Sequence, residues 1–390
     1  MERRVSAAPG FYGRNGEALL YVYGIVRIDH TEIFQLALPM EPFVIATEVS
    51  TVAQNTFIRI HTDVGLVGMG ECSAFPMLVG ETQATCYAVA REFAAWIKGK
   101  DPLDIHARMR DLHARLAFNT TIKSAFDMAL HDLAAKAQGL PLYRFLGGTK
   151  KDIETDLTLG IGAPEAMADK ARAAVAKGAR TLKIKLGKHG PEDVERVRGI
   201  RAAVGPEIAL RVDANQGWDF DTAAATLRDL APFSIQFCEQ PIHHDYDYLL
   251  PDLRKLSPVP IMADESVFNH HDAIRLMRAQ AVDYINVKLA KSGGILEALR
   301  IADAAERHGI PCMLGGMLES RLALTAKVHL AMSHGNFRFY DLDTCLLGQL
   351  EDPVLGGARY KGFHLEIGDG PGIAADIDPG FLEKCESVVV

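Results

Sequence analysis

TLKIKLG (181–187), ALRVDANQGW (209–218), IQFCEQP (235–241), PIMADES (260–266) and YINVKLAKSG (284–293) repeat one pattern. Each is a short apolar run that ends in charged residues. Helical patterns lie between such runs, as in 164–179 and 293–309. Working outward, the same unit recurs as TDLTLGIG (155–162), PCMLGGMLES (311–320) and FRFYDLDT (337–344). Strand–helix alternation implies parallel βαβ units. Eight units are what a (β/α)8 barrel of the TIM type needs. A doubly wound open sheet would carry G-x-G-x-x-G after its first strand, and no such motif occurs.

Before residue 150 the rhythm differs. Strand-like runs at 25–38 and 55–72 come first, the second turning at 61–65, and helical patterns follow at 81–98, 102–116 and 119–138. Strands followed by helices indicate an α+β unit. The expected division is a leader (1–24), a capping domain (25–150), a barrel (151–350) and a Gly/Pro-rich segment (351–390) that returns to the cap.

Composition narrows the class. The chain has 390 residues, 48% hydrophobic and 24% charged, enough apolar content for a large core. The net charge of −8 and the lack of a basic stripe exclude a nucleic-acid binder. Six scattered cysteines without a C-x-x-C pair fit a reducing compartment, and no apolar run is long enough to span a membrane. A cytoplasmic protein with no membrane partner is the expectation.

The ends of the strand runs carry the chemistry. Successive charged positions, Lys185, Asp213, Glu239, Asp264 and Lys288, lie 28, 26, 25 and 24 residues apart. A single such charge is ordinarily a solvated loop residue. Five in phase point to one shared mouth at the C-terminal ends of the strands, where barrel active sites form. Three carboxylates converging there repel unless a cation lies between them, and all-oxygen ligands favour Mg²⁺, with Mn²⁺ as a substitute. Lys183 and Lys185 are two apart on a strand, hence on one face, and side by side the pair is expected to keep one amine neutral near pH 7. Lys288 is expected across the mouth. Two lysines on opposite sides of a carbon can remove a proton from one face and return it on the other.

KIK (183–185), VDANQGW (212–218), CEQP (238–241), ADES (263–266) and NVKLAKSGG (286–294) together resemble the enolase superfamily, muconate-lactonizing-enzyme subgroup, over nearly the whole chain from about residue 25. The resemblance implies a modified (β/α)8 barrel under an α+β cap, with Asp213, Glu239 and Asp264 on Mg²⁺. It makes Lys185 and Lys288 the acid/base pair, with Lys183 in support. FYDLDT (339–344) is similar to the dipeptide epimerases, in which such a D-x-D holds the substrate's α-ammonium, here through Asp341 and Asp343. Glu319 matches a further mouth position. The segment 42–57 resembles a mobile capping loop, and Glu48 falls where Ala-Glu epimerases carry an arginine, which argues for a cationic or apolar second residue. The second loop, 71–81, supplies apolar Phe75, Met77, Leu78 and Val79. The implied activity is 1,1-proton transfer at the α-carbon of a dipeptide's C-terminal residue through a metal-stabilised enediolate. N-acylamino-acid racemase, o-succinylbenzoate synthase, muconate cycloisomerase and a catalytically silent barrel are the alternatives. The implied partners are a small-molecule dipeptide and further copies of the chain in a homo-oligomer.

Overall fold

A computed structural model describes residues 26–390. The expected leader lies outside the described residues. The described residues open with an antiparallel hairpin, β1 (Ile28–Val44) and β2 (Val49–Thr62), followed by β3 (Val67–Ser73). β1 and β2 pair along their length, from Ile28 with Thr62 to Val44 with Val49. The expected capping loop at 42–57 is therefore mostly strand, and only residues 45–48 turn. Its β-branched content, in EVSTV and TFIRI, suits a pleated surface better than a loop.

β3 packs on the helix Thr120–Ala137. A Cβ at Gly70 would lie 1.9 Å from the Ala125 carbonyl oxygen, so glycine permits the contact. Three further chain segments tie the cap to the rest. The strand Ser387–Val389 pairs antiparallel with β1 at Glu32–Phe34. The buried Glu71 on β3 accepts hydrogen bonds from Ser320 N (2.8 Å), Ser320 Oγ (2.5 Å) and Ala323 N (3.1 Å) at the start of the helix Arg321–Ser333. Asp127 on Thr120–Ala137 accepts from Ile295 N (2.5 Å), the first residue of the helix Ile295–Arg307. Both carboxylates satisfy free N–H groups at a helix N-terminus, where negative charge is favoured.

Eight parallel strands follow: β4 (Leu157–Leu159), β5 (Thr181–Lys185), β6 (Ala209–Asp213), β7 (Ile235–Glu239), β8 (Ile261–Ala263), β9 (Tyr284–Val287), β10 (Cys312–Gly315) and β11 (Phe337–Asp341). Neighbours in the chain are neighbours in the sheet, from β4 to β11. At the seam between β11 and β4, Asp156 N donates to Tyr340 O (3.2 Å) and Leu342 N to Thr155 Oγ1 (2.8 Å). All eight expected strands are present, each shorter than its sequence run, because the polar ends of the runs turn into loops at the mouth.

Strand alternation sorts the side chains. On β5, Leu182 and Ile184 join the large apolar core, while Lys183 and Lys185 project among the carboxylates of the neighbouring strands. The barrel floor is a cluster of Phe237, Met262 and Met313 with Tyr284 and Phe339. The Arg211 guanidinium lies 5.3 and 5.2 Å from the Phe237 and Phe339 ring centres, so a cation caps the aromatic floor below the charged mouth. No helix among the described residues is long and apolar enough to cross a membrane. All six cysteines are unpaired.

Candidate active site

The mouth of the barrel lies under the cap hairpin. Ile161 N donates to Val44 O (2.9 Å), which rests the hairpin tip on the loop after β4. A pocket opens there between the cap and the barrel. Its charged lining residues are Lys185, Lys288, Glu265, Asp341 and Asp343. Apolar walls come from Phe43 and Ile45 on the hairpin, Phe75, Met77 and Leu78 after β3, Met317 and Leu318 after β10, and Leu347. The second loop thus reaches the site as expected, through the short helix Pro76–Val79.

The three carboxylates sit at the ends of consecutive strands, and Asp213, Glu239 and Asp264 are fully buried. Lysines compensate them. Lys183 Nζ bridges Asp213 (3.1 Å), Glu239 (2.8 Å) and Asp341 (2.7 Å). Lys185 Nζ donates to Asp213 Oδ2 (2.6 Å), and Lys288 Nζ donates to Asp264 Oδ2 (2.7 Å). Lys185 ends β5 and Lys288 directly follows β9, strands four places apart in an order of eight, and both line the pocket. The site therefore presents an amine from each of two opposite walls.

The charges are unevenly held. Burial raises the Asp264 carboxyl, but Lys288 and Lys291 outweigh it and hold the group well below the usual carboxylate range. Glu239 is pushed up to about 7 by burial and the charges of Asp213 and Asp264, despite its lysine partner. Mutual depression within the K-x-K pair does not govern Lys183. Burial lowers it, but Asp341, Glu239 and Asp213 dominate and hold its proton well above the ordinary lysine range. It is a fixed cation beneath the mouth rather than a neutral amine.

The carboxylate set has the donor chemistry of a divalent-cation site. The donors are all oxygen and lie on adjacent strands. Glu239 Oε2 and Asp264 Oδ1 are buried and have ammonium neighbours, but no well-directed hydrogen bond. Groups of that kind suit a hard cation.

The D-x-D residues reach the pocket. Asp341 is held at about 2, burial being outweighed by Lys183, Lys185 and Lys288. Asp343 Oδ2 accepts from Thr158 N across the seam (2.6 Å). The other two expected substrate residues do not line the pocket. Glu319 is buried, and its Oε2 accepts from Met317 N (2.6 Å) while Oε1 pairs with Lys327, so it shapes the loop that presents Met317 and Leu318. Glu48 is half-buried and accepts from Ser50 Oγ (2.7 Å). Glu48 in the turn is thus held by Ser50, while Ile45 and Thr47 reach the pocket.

Sequence reasoning assigned no role to several residues here. Glu265 lines the pocket and is pushed up to about 8 by burial and the neighbouring Asp264 and Asp213 charges. Lys291 Nζ lies 2.5 Å from Asp264 Oδ1 and is fully buried. Asp156, below Asp343, pairs with Arg211 (2.7 Å). The signal for Asp156 was its place two residues before Thr158 in a barrel-strand run, the same alternation that exposed Lys183 and Lys185.

Comparison with known proteins identifies the family. Residues 28–147 match the N-terminal domain of the mandelate racemase/muconate lactonizing enzyme family, and residues 166–381 match its enolase C-terminal domain-like partner. The D-Ala-D/L-Ala epimerase of Cytophaga hutchinsonii is 42% identical over 93% of this chain and 99% of its own. The L-Ala-D/L-Glu epimerase of Clostridium acetobutylicum is 38% identical over 88% of this chain and 97% of its own. A crystal structure of the C. hutchinsonii dipeptide epimerase with Mg and the dipeptide D-Ala-L-Val superimposes with a TM-score of 0.92, at 42% identity, over 93% of this chain and 100% of that one.

Proposed function

The chain belongs to the mandelate racemase/muconate lactonizing enzyme family of the enolase superfamily, and on that premise we propose that it is a Mg²⁺-dependent dipeptide epimerase. The observation that carries the reading is the pocket itself: amines on opposite walls, Lys185 and Lys288, beside a carboxylate pair, Asp341 and Asp343. In this reading the α-ammonium of a dipeptide docks on Asp341 and Asp343, and its C-terminal carboxylate points toward Asp213, Glu239 and Asp264. The α-carbon of the C-terminal residue then lies between the two lysines. One takes the α-proton and the other returns a proton to the opposite face, which inverts the centre. Mg²⁺, or Mn²⁺ in its place, held by the three carboxylates would stabilise the negative charge that develops as the α-proton leaves. Lys183, protonated and bridging Asp213, Glu239 and Asp341, keeps the carboxylates at fixed spacing. The apolar walls exclude water.

The lining also supports a substrate class. Among the described residues its cations are the two lysines at the reacting carbon, so an acidic second side chain finds no partner among them. Ile45, Met77, Leu78, Met317 and Leu318 favour a small or apolar one. Glu48, away from the pocket, gives no support for a cationic one. The unpaired thiols support a cytoplasmic location. A homo-oligomer follows by analogy with the fold's relatives. The division into cap (25–150), barrel (151–350) and returning segment (351–390) is likewise proposed.

The test is deuterium incorporation from D₂O into a dipeptide panel, read by mass spectrometry with Mg²⁺-loaded protein. Ala-Ala and Ala-Val types should exchange at the C-terminal α-carbon, well ahead of Ala-Glu. A folded, metal-loaded enzyme that exchanges none of them would sink the reading.

A further inference from the structure

The carboxylates at the β11–β4 seam outnumber the cations available to them. One oxygen each from Asp156, Asp341 and Asp343 lies within 4.8 Å of the other two, and all three residues are buried. The groups facing them are few. From β6, Arg211 donates to Asp156 Oδ2 (2.7 Å). From β5, Lys183 donates to Asp341 Oδ2 (2.7 Å) but is shared with Asp213 and Glu239, and Lys185 and Lys288, whose charges also reach Asp341, pair with Asp213 and Asp264. From the returning segment, the Tyr360 hydroxyl donates to Leu342 O (2.6 Å), not to a carboxylate. Asp343 is met by Thr158, whose backbone N–H donates to Oδ2 (2.6 Å), and among the described residues no cation pairs with it. Asp156 Oδ1 is buried with no hydrogen-bond partner. Buried carboxylates this close raise one another's affinity for a proton.

We propose that Asp156 is a positioning residue that holds one proton jointly with Asp343 in the free enzyme, and that a substrate's α-ammonium displaces this proton as it docks on Asp341 and Asp343. The inference rests on the dipeptide reading above. Asp156 does not line the pocket, so it acts through Asp343 rather than on the substrate. The balance is simple. One ammonium charge enters the cluster, one O–H bond of a carboxylic acid breaks, and its proton leaves to solvent. The directions of titration agree. Asp341 is held ionised by its lysine neighbours, whereas burial and the charge of Asp341 push Asp156 up to about 7. Burial, Asp341 and Asp156 likewise push Asp343 well above the usual carboxylate range.

The device has two consequences. The free enzyme avoids three adjacent buried anions, and a ligand lacking an ammonium cannot discharge the proton, so the subsite discriminates by charge. Proton release also makes binding pH-dependent. KM for a dipeptide should fall as pH rises from about 6 to 7.5, up to the ionisation of the dipeptide's own amine near 8.

The test is isothermal titration of the Mg²⁺-loaded enzyme with Ala-Ala at pH 6.5–7, in two buffers of different ionisation enthalpy. The wild type should release roughly 0.5–1 proton per dipeptide bound. Asp156→Asn keeps an acceptor for Arg211 and removes the third carboxylate. It should bind Ala-Ala with release near zero and with a flatter pH dependence of KM. A merely structural Asp156 would leave the proton count unchanged, and that result overturns the proposal. So does wild-type binding without release, whatever the variant does. Failure of the wild type to bind or exchange any dipeptide is a separate outcome that removes the functional reading itself.

Discussion

Two lysines on opposite walls have separable duties. With Lys288→Met, one wall keeps its amine, so the epimer whose α-hydrogen faces Lys185 should still exchange deuterium while net inversion stops. Lys185→Met should show the mirror pattern. Overall epimerisation should fall by about 10²–10⁴-fold in either variant, measured by polarimetry beside ¹H NMR exchange. Equal loss of exchange from both epimers in both variants would contradict the two-wall arrangement. Asp341→Asn should cut kcat/KM for dipeptides by about 10- to 100-fold, the scale of one charge-assisted hydrogen bond. Much of this site was legible before any coordinates, because residues at period two on a barrel strand must share a face, as Lys183 and Lys185 do. The protonation of Lys183 was not legible. It depends on Asp341, which is 158 residues away in the chain and adjacent only once the barrel closes. Asp156 escaped for the same reason, its partners lying on β6 and β11.

The elements that present these residues have their own consequences. The cap hairpin offers Ile45 and Thr47 to the pocket and turns Glu48 toward Ser50. In a turn of four residues a one-residue shift moves a side chain to the other face. Ile45→Arg should therefore raise activity on Ala-Glu relative to Ala-Val, measured as a ratio of kcat/KM values, whereas Glu48→Arg should change that ratio little. The helix Arg321–Ser333 depends on a carboxylate from another domain. Glu71→Ala removes the acceptor of three hydrogen bonds at its N-terminus and should destabilise the protein by about 2–4 kcal/mol in urea unfolding. Glu319 was expected at the mouth because GGMLES ends a strand run. Its real partners, Met317 N and Lys327, hold the loop from beneath.

At the scale of the whole molecule, alternation of strand and helix was enough to read the barrel, since each unit is local. The joins between cap and barrel were not readable, since Glu71, Asp127 and Ser387–Val389 meet partners far away in the chain. One such join should respond to pH. His329 on Arg321–Ser333 is buried, accepts from Tyr143 N (3.1 Å), and contacts Ile373 O (3.3 Å). Burial depresses it to about 4. A histidine depressed in the folded state contributes stability above its unfolded pKa of about 6.5 and loses it as pH falls toward 4. The loss should approach about 3 kcal/mol, and a variant such as His329→Gln should show a flatter acid limb in thermal melts at pH 4–7. Mg²⁺ at 100 times its Kd should raise stability by about 2.7 kcal/mol at neutral pH, and a chelator should reverse this together with activity. The pairing of β1 with Ser387–Val389 reaches into biosynthesis. Glu32–Phe34 leave the ribosome some 350 residues before their partners, so one edge of the first sheet stays unpaired through most of translation. An unpaired edge is a template for other strands. Completion of the cap is thus a post-synthetic step, and nascent chains stalled short of residue 387 should be the species that chaperones retain.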